Sequence, residues 1–159
     1  ACSMEGTRPI LLEVQTLVTE TGFGMARRTA NGVDYNRINI LLAILEKRCG
    51  YAMGRYDAYV NIAGGMRVNE PALDLALVMA LVSSFKNRAV DPGLLIFGEV
   101  GLSGEVRAVS QATQRVSEAV KMGFTSCLLP AANLEKLKGE NRIRLIGVSN
   151  VREAIRQLS

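Results

Sequence analysis

The 159-residue sequence contains no histidine and no tryptophan. Without histidine, Ser-His-Asp and Cys-His nucleophile systems are excluded together with most catalytic zinc sites, which leaves Ser, Lys, Asp and Glu as the available catalytic groups. Cysteine is scarce as well: Cys2, Cys49 and Cys127 lie 47 and 78 residues apart with no C-x-x-C pair. Neither a zinc knuckle nor a redox dithiol fits that spacing, so reduced, buried thiols are expected. No glycine is followed by lysine, so there is no P-loop and no nucleotide hydrolysis by that route. The longest apolar run, Ala72 to Val82, is 11 residues interrupted by Asp74, far short of the roughly 20 that a membrane span needs. Ala1 to Gly6 has no basic region followed by an apolar stretch, so no secretory signal and a cytoplasmic location are expected.

What is present describes a globular chain. Apolar residues make up 48% and charged residues 21%, which excludes disorder and fibrous repeats and suits one domain over residues 1–159. The net charge of +4 is unevenly placed. Between Phe23 and Tyr56 six cations (Arg27, Arg28, Arg37, Lys47, Arg48, Arg55) face two anions (Asp34, Glu46), so the rest of the chain is neutral. Fourteen of the 19 basic residues are arginine, whose planar fork suits phosphates and carboxylates. An anionic partner is one reading; an ordinary solubility charge is the other.

The hydrophobic pattern is α/β. Arg8 to Glu20 is β-branched and aliphatic and is expected as one long strand, with Phe23 to Thr29 returning as a hairpin partner that carries Arg27 and Arg28 to a turn at Ala30-Asn31-Gly32. Asp34 caps a core helix from Tyr35 to Cys49 that Gly50 stops. Its interior, Ile38, Ile40, Leu41, Leu42, Ile44 and Leu45, is apolar almost all round. A strand is expected over Ala58 to Ala63, a bend at Gly64-Gly65, and a second buried helix from Pro71 to Phe85, with Asp74 near its positive end. Leu94 to Val100 reads as a strand, Gly101 to Arg107 as a hairpin, and Ser110 to Gly123 as a helix with its boundaries. The tail alternates strand Thr125 to Leu129, helix Ala131 to Lys138, strand Arg142 to Val148 and helix Val151 to Leu158, the last opened by an Asn150-x-x-Glu153 capping box.

Two segments carry a specific resemblance. V-N-I-A-G-G-M-R-V-N-E-P-A-L-D-L-A (Val60 to Ala76) and G-E-V-G-L-S-G-E-V-R-A-V (Gly98 to Val109) are similar to the peptidase domain of Lon-type proteases. That family presents P-S-A-G at a helix start, with the serine attacking the peptide carbonyl and a lysine about 40 residues later taking its proton. In this sequence the serine position is Ala72 and the lysine position is Thr113. Alanine has no lone pair, and a threonine hydroxyl is no base near neutral pH, so the resemblance implies a lost dyad and no catalytic residues. Ser83, Ser84 and Lys86 lie about four turns from the helix start, and Lys121 ends another helix, so a substitute dyad would need a new site. Glu99 and Glu105 are better read as solvated rim charges than as a carboxylate pair.

M-E-G-T-R-P-I-L-L-E-V-Q (Met4 to Gln15), R-R-T-A-N-G-V-D-Y-N-R (Arg27 to Arg37) and E-P-A-L-D-L-A resemble most closely the C-terminal Lon-like domain of the bacterial RadA (Sms) family. The implied fold is α/β (α+β), Lon peptidase-domain-like, with mixed sheets and packed helices of the ribosomal protein S5 domain 2-like type. The resemblance also implies a non-peptidase domain that binds DNA and scaffolds a hexameric ring in recombinational repair and branch migration. The zinc finger and RecA-like ATPase of that family have no counterpart here, so ATP, magnesium and zinc are expected only in those modules and no cofactor in this chain. Recombinase or replicative proteins are further implied partners, and a membrane is not. DNA contact is expected at Arg27, Arg28, Arg37, Lys47 and Arg48, mostly to phosphates, because four Phe and four Tyr leave few stacking platforms. Against this stand two other readings: a live Ser/Lys peptidase of the Lon type, and a protein-interaction scaffold without DNA contact.

Overall fold

The computed structural model describes residues 1–64 and 66–158. The chain opens with an antiparallel hairpin of β1 (Cys2–Glu5) and β2 (Arg8–Leu11), continues as β3 (Val14–Glu20) and β4 (Arg28–Asn31), and enters helix α1 (Tyr35–Cys49). Strand β5 (Tyr56–Ile62) follows, then a 3-10 turn over Pro71–Leu73 that feeds α2 (Asp74–Lys86). Next come β6 (Leu94–Ile96), the short pair β7 (Glu99–Val100) and β8 (Val106–Arg107), α3 (Ala112–Lys121), β9 (Ser126–Pro130), β10 (Arg144–Val148) and α4 (Val151–Ile155). The α/β class expected from the sequence is the one observed.

Several of the expected elements are drawn differently. Arg8 to Glu20 is two strands, because the chain changes partners at Leu12 and Glu13: the Leu12 N–H donates to the Ala1 carbonyl at 2.8 Å, and the Glu13 carbonyl accepts from Ala63 at 3.0 Å. The expected hairpin between this segment and Phe23 to Thr29 does not form. Instead β5 lies between β3 and β4, antiparallel to the first and parallel to the second. Its buried residues Ala58, Val60 and Ile62 give it the inward alternation a central strand requires, which overrides the local turn signal at Thr21-Gly22. Ala30 and Asn31 are therefore strand residues rather than a turn. Leu94 to Val100 breaks at Gly98, where a Cβ would stand 3.2 Å from both Leu75 and Val106. Residues 131–137 wind as a 3-10 helix, and the bend expected at Gly64-Gly65 has its second glycine outside the described residues.

Helices α1 and α4 open on side-chain caps, α2 and α3 have none, and α4 ends at Ile155, short of the expected Leu158. The Asp34 carboxylate accepts from the Asn36 N–H at 3.1 Å, and Gly50 ends α1 at φ +76°. Asn150 caps α4 through the Glu153 N–H at 2.9 Å. One apolar cluster packs α1 and α2 against the β3-β5-β4 sheet through Ile38, Leu41, Leu45, Leu77, Val78 and Leu81. A second joins α3 to the parallel β10-β9-β6 sheet through Leu95, Phe97, Val116, Ala119 and Leu129. Ile40, expected inside, is exposed on α1. Among the described residues no helix is long and apolar enough to cross a membrane.

Candidate functional site

The start of α2 is stitched to the strand beyond it. The Gly98 N–H donates to the Ala72 carbonyl at 2.8 Å, and the Leu75 N–H returns to the Gly98 carbonyl at 3.0 Å. Ala72 is buried in this turn, and its methyl group is the only side-chain atom at the position where a nucleophile would be needed. Thr113 lies exposed in the first turn of α3.

Two residues from each of these positions stands a group that the sequence reading passed over. Arg115 is 1% exposed, and its guanidinium pairs with Glu70. It also donates to the Ser110 carbonyl at 3.0 Å and the Cys2 carbonyl at 2.8 Å. Glu70 in turn accepts from the Ser3 hydroxyl and from the Met4 N–H at 2.6 Å. The segment before Ala72, the first turns of α3 and strand β1 are thereby held by one buried ionic network. A signal was available: Ala112, Arg115, Val116 and Ala119 form the i, i+3, i+4, i+7 stripe of α3, and a cation on a buried stripe requires a buried acceptor.

A second ion pair locks the other side of the α2 start. Arg37 donates to both carboxylate oxygens of Asp74, through Nε at 2.9 Å to Oδ1 and through Nη2 to Oδ2, and also to the Val100 carbonyl at 2.9 Å. The Val100 N–H completes the group by donating to Asp74 at 3.0 Å. Asp74 thus does more than face the positive end of its helix: it ties α1, α2 and β7 together.

The five basic residues expected to meet DNA separate into two sets. Arg37 is held as described. Arg28 spends its guanidinium on the backbone, donating to the Tyr56 carbonyl and, at 2.9 Å, to the Met53 carbonyl. Arg27, Lys47 and Arg48 are exposed. The Arg27 N–H reaches the Asp57 carboxylate at 2.7 Å and, with the Thr21 hydroxyl, holds that carboxyl below its ordinary range. Arg48 makes one long contact, 3.4 Å, to the Leu102 carbonyl. Neither Glu13 nor Glu20 pairs with Arg27 or Arg28 among the described residues.

The alternative hydroxyls have structural partners. Ser83 donates to the Arg88 carbonyl at 2.5 Å, and the Ser84 hydroxyl accepts from the Val18 N–H at 2.9 Å. Glu105 is a rim charge, paired with Arg107 at 3.1 Å. All three cysteines are free thiols, Cys2 and Cys127 buried and Cys49 half-buried. Among the described residues no cluster of acidic residues and cysteines suited to a metal ion occurs.

A family model described as subunit ChlI of Mg-chelatase matches residues 24–133, well over half of the chain, from the approach to β4 to the start of the 3-10 helix after β9. The chain belongs to this family. Over nearly its whole length it is also similar to bacterial proteins named DNA repair protein RadA. It is 51% identical over 154 residues, 97% of the chain, to that of Bacillus subtilis (strain 168). Identity is 50% over 153 residues, 96% of the chain, to that of Halalkalibacterium halodurans, and 45% over 156 residues, 98% of the chain, to that of Streptococcus pneumoniae. The chain spans about a third of the length of these relatives, 34% of the first two and 37% of the third. The RadA family expected from the sequence motifs is the one these relatives carry by name.

Proposed function

We propose that the chain is a Lon-type domain without peptidase chemistry that contributes DNA contact and subunit scaffolding to a RadA-type protein of recombinational repair and branch migration. The observation that carries this reading is similarity along nearly the whole chain to proteins named for DNA repair. The loss of peptidase chemistry rests on Ala72 and Thr113, which offer neither a nucleophile nor a base. Nucleotide and metal chemistry belong, in this reading, to other modules of such a protein.

Of the five basic residues expected from the sequence, Arg27, Lys47 and Arg48 are the ones free to meet phosphates, since Arg28 and Arg37 already serve protein acceptors. Fluorescence anisotropy of labelled single-stranded and duplex DNA across a sodium chloride series tests the reading. Binding that weakens with salt supports it. Absence of binding at low salt leaves scaffolding alone. A serine-directed fluorophosphonate probe is expected to leave the chain unlabelled, and a covalent adduct would overturn the assignment.

A protein-contact role has its own support. Phe23 and Met25 stand almost fully exposed on the loop between β3 and β4, an unusual position for large apolar side chains. We assign this loop to contact between subunits of a hexameric ring. Replacing both residues by serine is then expected to shift sedimentation toward the monomer.

A further inference from the structure

The opposite end of α2, a 13-residue helix and so roughly 20 Å from the Ala72 turn, holds a feature that the lost dyad does not explain. The C-terminal ends of α1 and α2 meet α4 around a cleft of about 390 Å³. Lys86, Arg88, Arg152 and Arg156 line it, with Tyr51 and Cys49 between them. All four cations are exposed, and among the described residues none of them is in an ion pair and no carboxylate lines the cleft.

The acids closest in sequence are turned to other work. Glu46 accepts from the Gly54 N–H at 3.0 Å, Asp91 from the Gly93 N–H at 2.8 Å, and Glu153 from the Ser149 N–H at 3.0 Å at the far end of α4. Helix ends account for part of the charge. Two helix C-termini supply about half a negative charge each, roughly one unit against four. Among the described residues the remaining positive charge has no internal partner.

Two of the cations are nevertheless fixed in place. Arg152 donates through Nε to the Arg48 carbonyl at 3.0 Å, and the Lys86 ammonium lies 5.8 Å from the centre of the Tyr51 ring. Tyr51 is itself held edge-on against Phe85 at 5.5 Å. With its ring engaged in this way, the cleft offers charge and guanidinium forks rather than a platform for a base.

We propose that this cleft is a phosphate-binding site that takes consecutive phosphodiesters of a DNA strand. The proposal deepens the DNA-contact reading above and rests on it for the identity of the ligand. It adds a surface, adjoining Arg48, that the charge count over Phe23 to Tyr56 leaves out, because Lys86, Arg88, Arg152 and Arg156 all lie outside that segment.

The test uses the full 159-residue chain and the triple variant Lys86→Gln, Arg88→Gln, Arg156→Gln, which spares Arg152 and its backbone contact. A second triple, Lys121→Gln, Lys136→Gln, Arg144→Gln, removes the same charge elsewhere. Labelled DNA is titrated at several salt concentrations, and circular dichroism checks that each variant is folded. The cleft variant is expected to bind at least tenfold more weakly, with the slope of log K against log salt shallower by about two. The second triple is expected to change the slope by less than one. Equal affinity and slope for the chain and its cleft variant overturn the site while leaving DNA binding in place, as does an equal loss in both triples. Sodium tripolyphosphate, followed by thermal shift, separates the sources of phosphate. If the chain binds no DNA but is stabilised by tripolyphosphate and the cleft variant is not, the site stands and its ligand is a free polyphosphate. If neither ligand binds, the site and the DNA reading both fall.

Discussion

At the start of α2, Arg37 and Arg115 each face a carboxylate inside the protein, and they also donate to backbone carbonyls, Arg37 to one and Arg115 to two. At its end, Lys86, Arg88, Arg152 and Arg156 gather around a cleft whose lining, among the described residues, holds no carboxylate. Both ends are rich in arginine, yet one set holds segments of the fold together and the other leaves its charge unspent. A net charge counted along the sequence merges these two uses. Only burial and the inventory of acceptors separate them: Arg37 is committed to Asp74 and Val100, whereas the cations at the far end of the helix are in no ion pair among the described residues.

The largest expected contrast between the two ends is in thiol reactivity. Cys2, whose carbonyl holds Arg115, and Cys127 lie in the buried half, where loss of hydration lifts their thiols to about 11 and about 12. Cys49 lines the open cleft, raised by burial but drawn back by Arg152. The thiolate is the reactive form, so a raised value lowers the rate at any pH below it. With dithionitrobenzoate at pH 8, Cys2 and Cys127 should react roughly a hundred to a thousandfold more slowly than an ordinary thiol, and much more slowly than Cys49. Urea should abolish the difference. Fast labelling of all three in the native chain would erase the division into a closed and an open end.

Next in size is the removal of Arg115. Arg115→Met keeps the apolar stem and deletes the charge, leaving Glu70 without its partner and the Cys2 and Ser110 carbonyls each short of a donor. Breaking a buried pair by removing one member costs about 3–5 kcal/mol. Urea unfolding should show a lower midpoint with little change in slope. A loss under about 1 kcal/mol would mean that this network does not hold β1, the Ala72 turn and α3 together.

Much of this was legible beforehand, and the failures have physical causes. Helices α1 and α2 and the caps at Asp34, Gly50 and Asn150 were readable because capping is local chemistry. The pairing of β3 and β4 was misread because strand partners are chosen by burial across the whole chain: the inward residues of β5 are fully buried, those of β3 and β4 only half-buried, and β5 takes the centre. Ala72 and Thr113, the positions where the Lon-type resemblance expects a serine and a lysine, could be located by motif alone. The Glu70–Arg115 network could have been sought from the α3 stripe, whereas the cleft could not, because its cations come from residues 86 to 156 and meet only after folding.

Asp74→Ala should be milder than Arg115→Met. Asp74 is 2% exposed, and its removal strips acceptors from Arg37 and from the Val100 N–H, but Arg37 is 31% exposed and water can take over part of what the carboxylate supplied. An expected loss of about 2–3 kcal/mol follows from orphaning one backbone donor and half-solvating one guanidinium. If Asp74→Ala proved costlier than Arg115→Met in the same urea titration, exposure of the cation would not be what grades these pairs.

The smallest expected effect is at a pair with no burial at all to speak of. Lys138 meets Glu135 at 2.8 Å, an ordinary hydrogen-bond distance, but the two side chains are 75% and 78% exposed. Water solvates both charges almost as well as they solvate each other, and holding two long side chains in register has an entropic cost that offsets the attraction. Lys138→Gln should therefore change stability by less than about 0.5 kcal/mol, and by still less in 0.5 M salt, where screening removes most of what remains. The same salt should barely alter the effect of Arg115→Met, because ions do not reach a guanidinium that is 1% exposed. Measuring both variants at low and high salt places the comparison on one axis: a large, salt-dependent loss at Lys138 would show that short distance rather than burial sets the strength of these contacts.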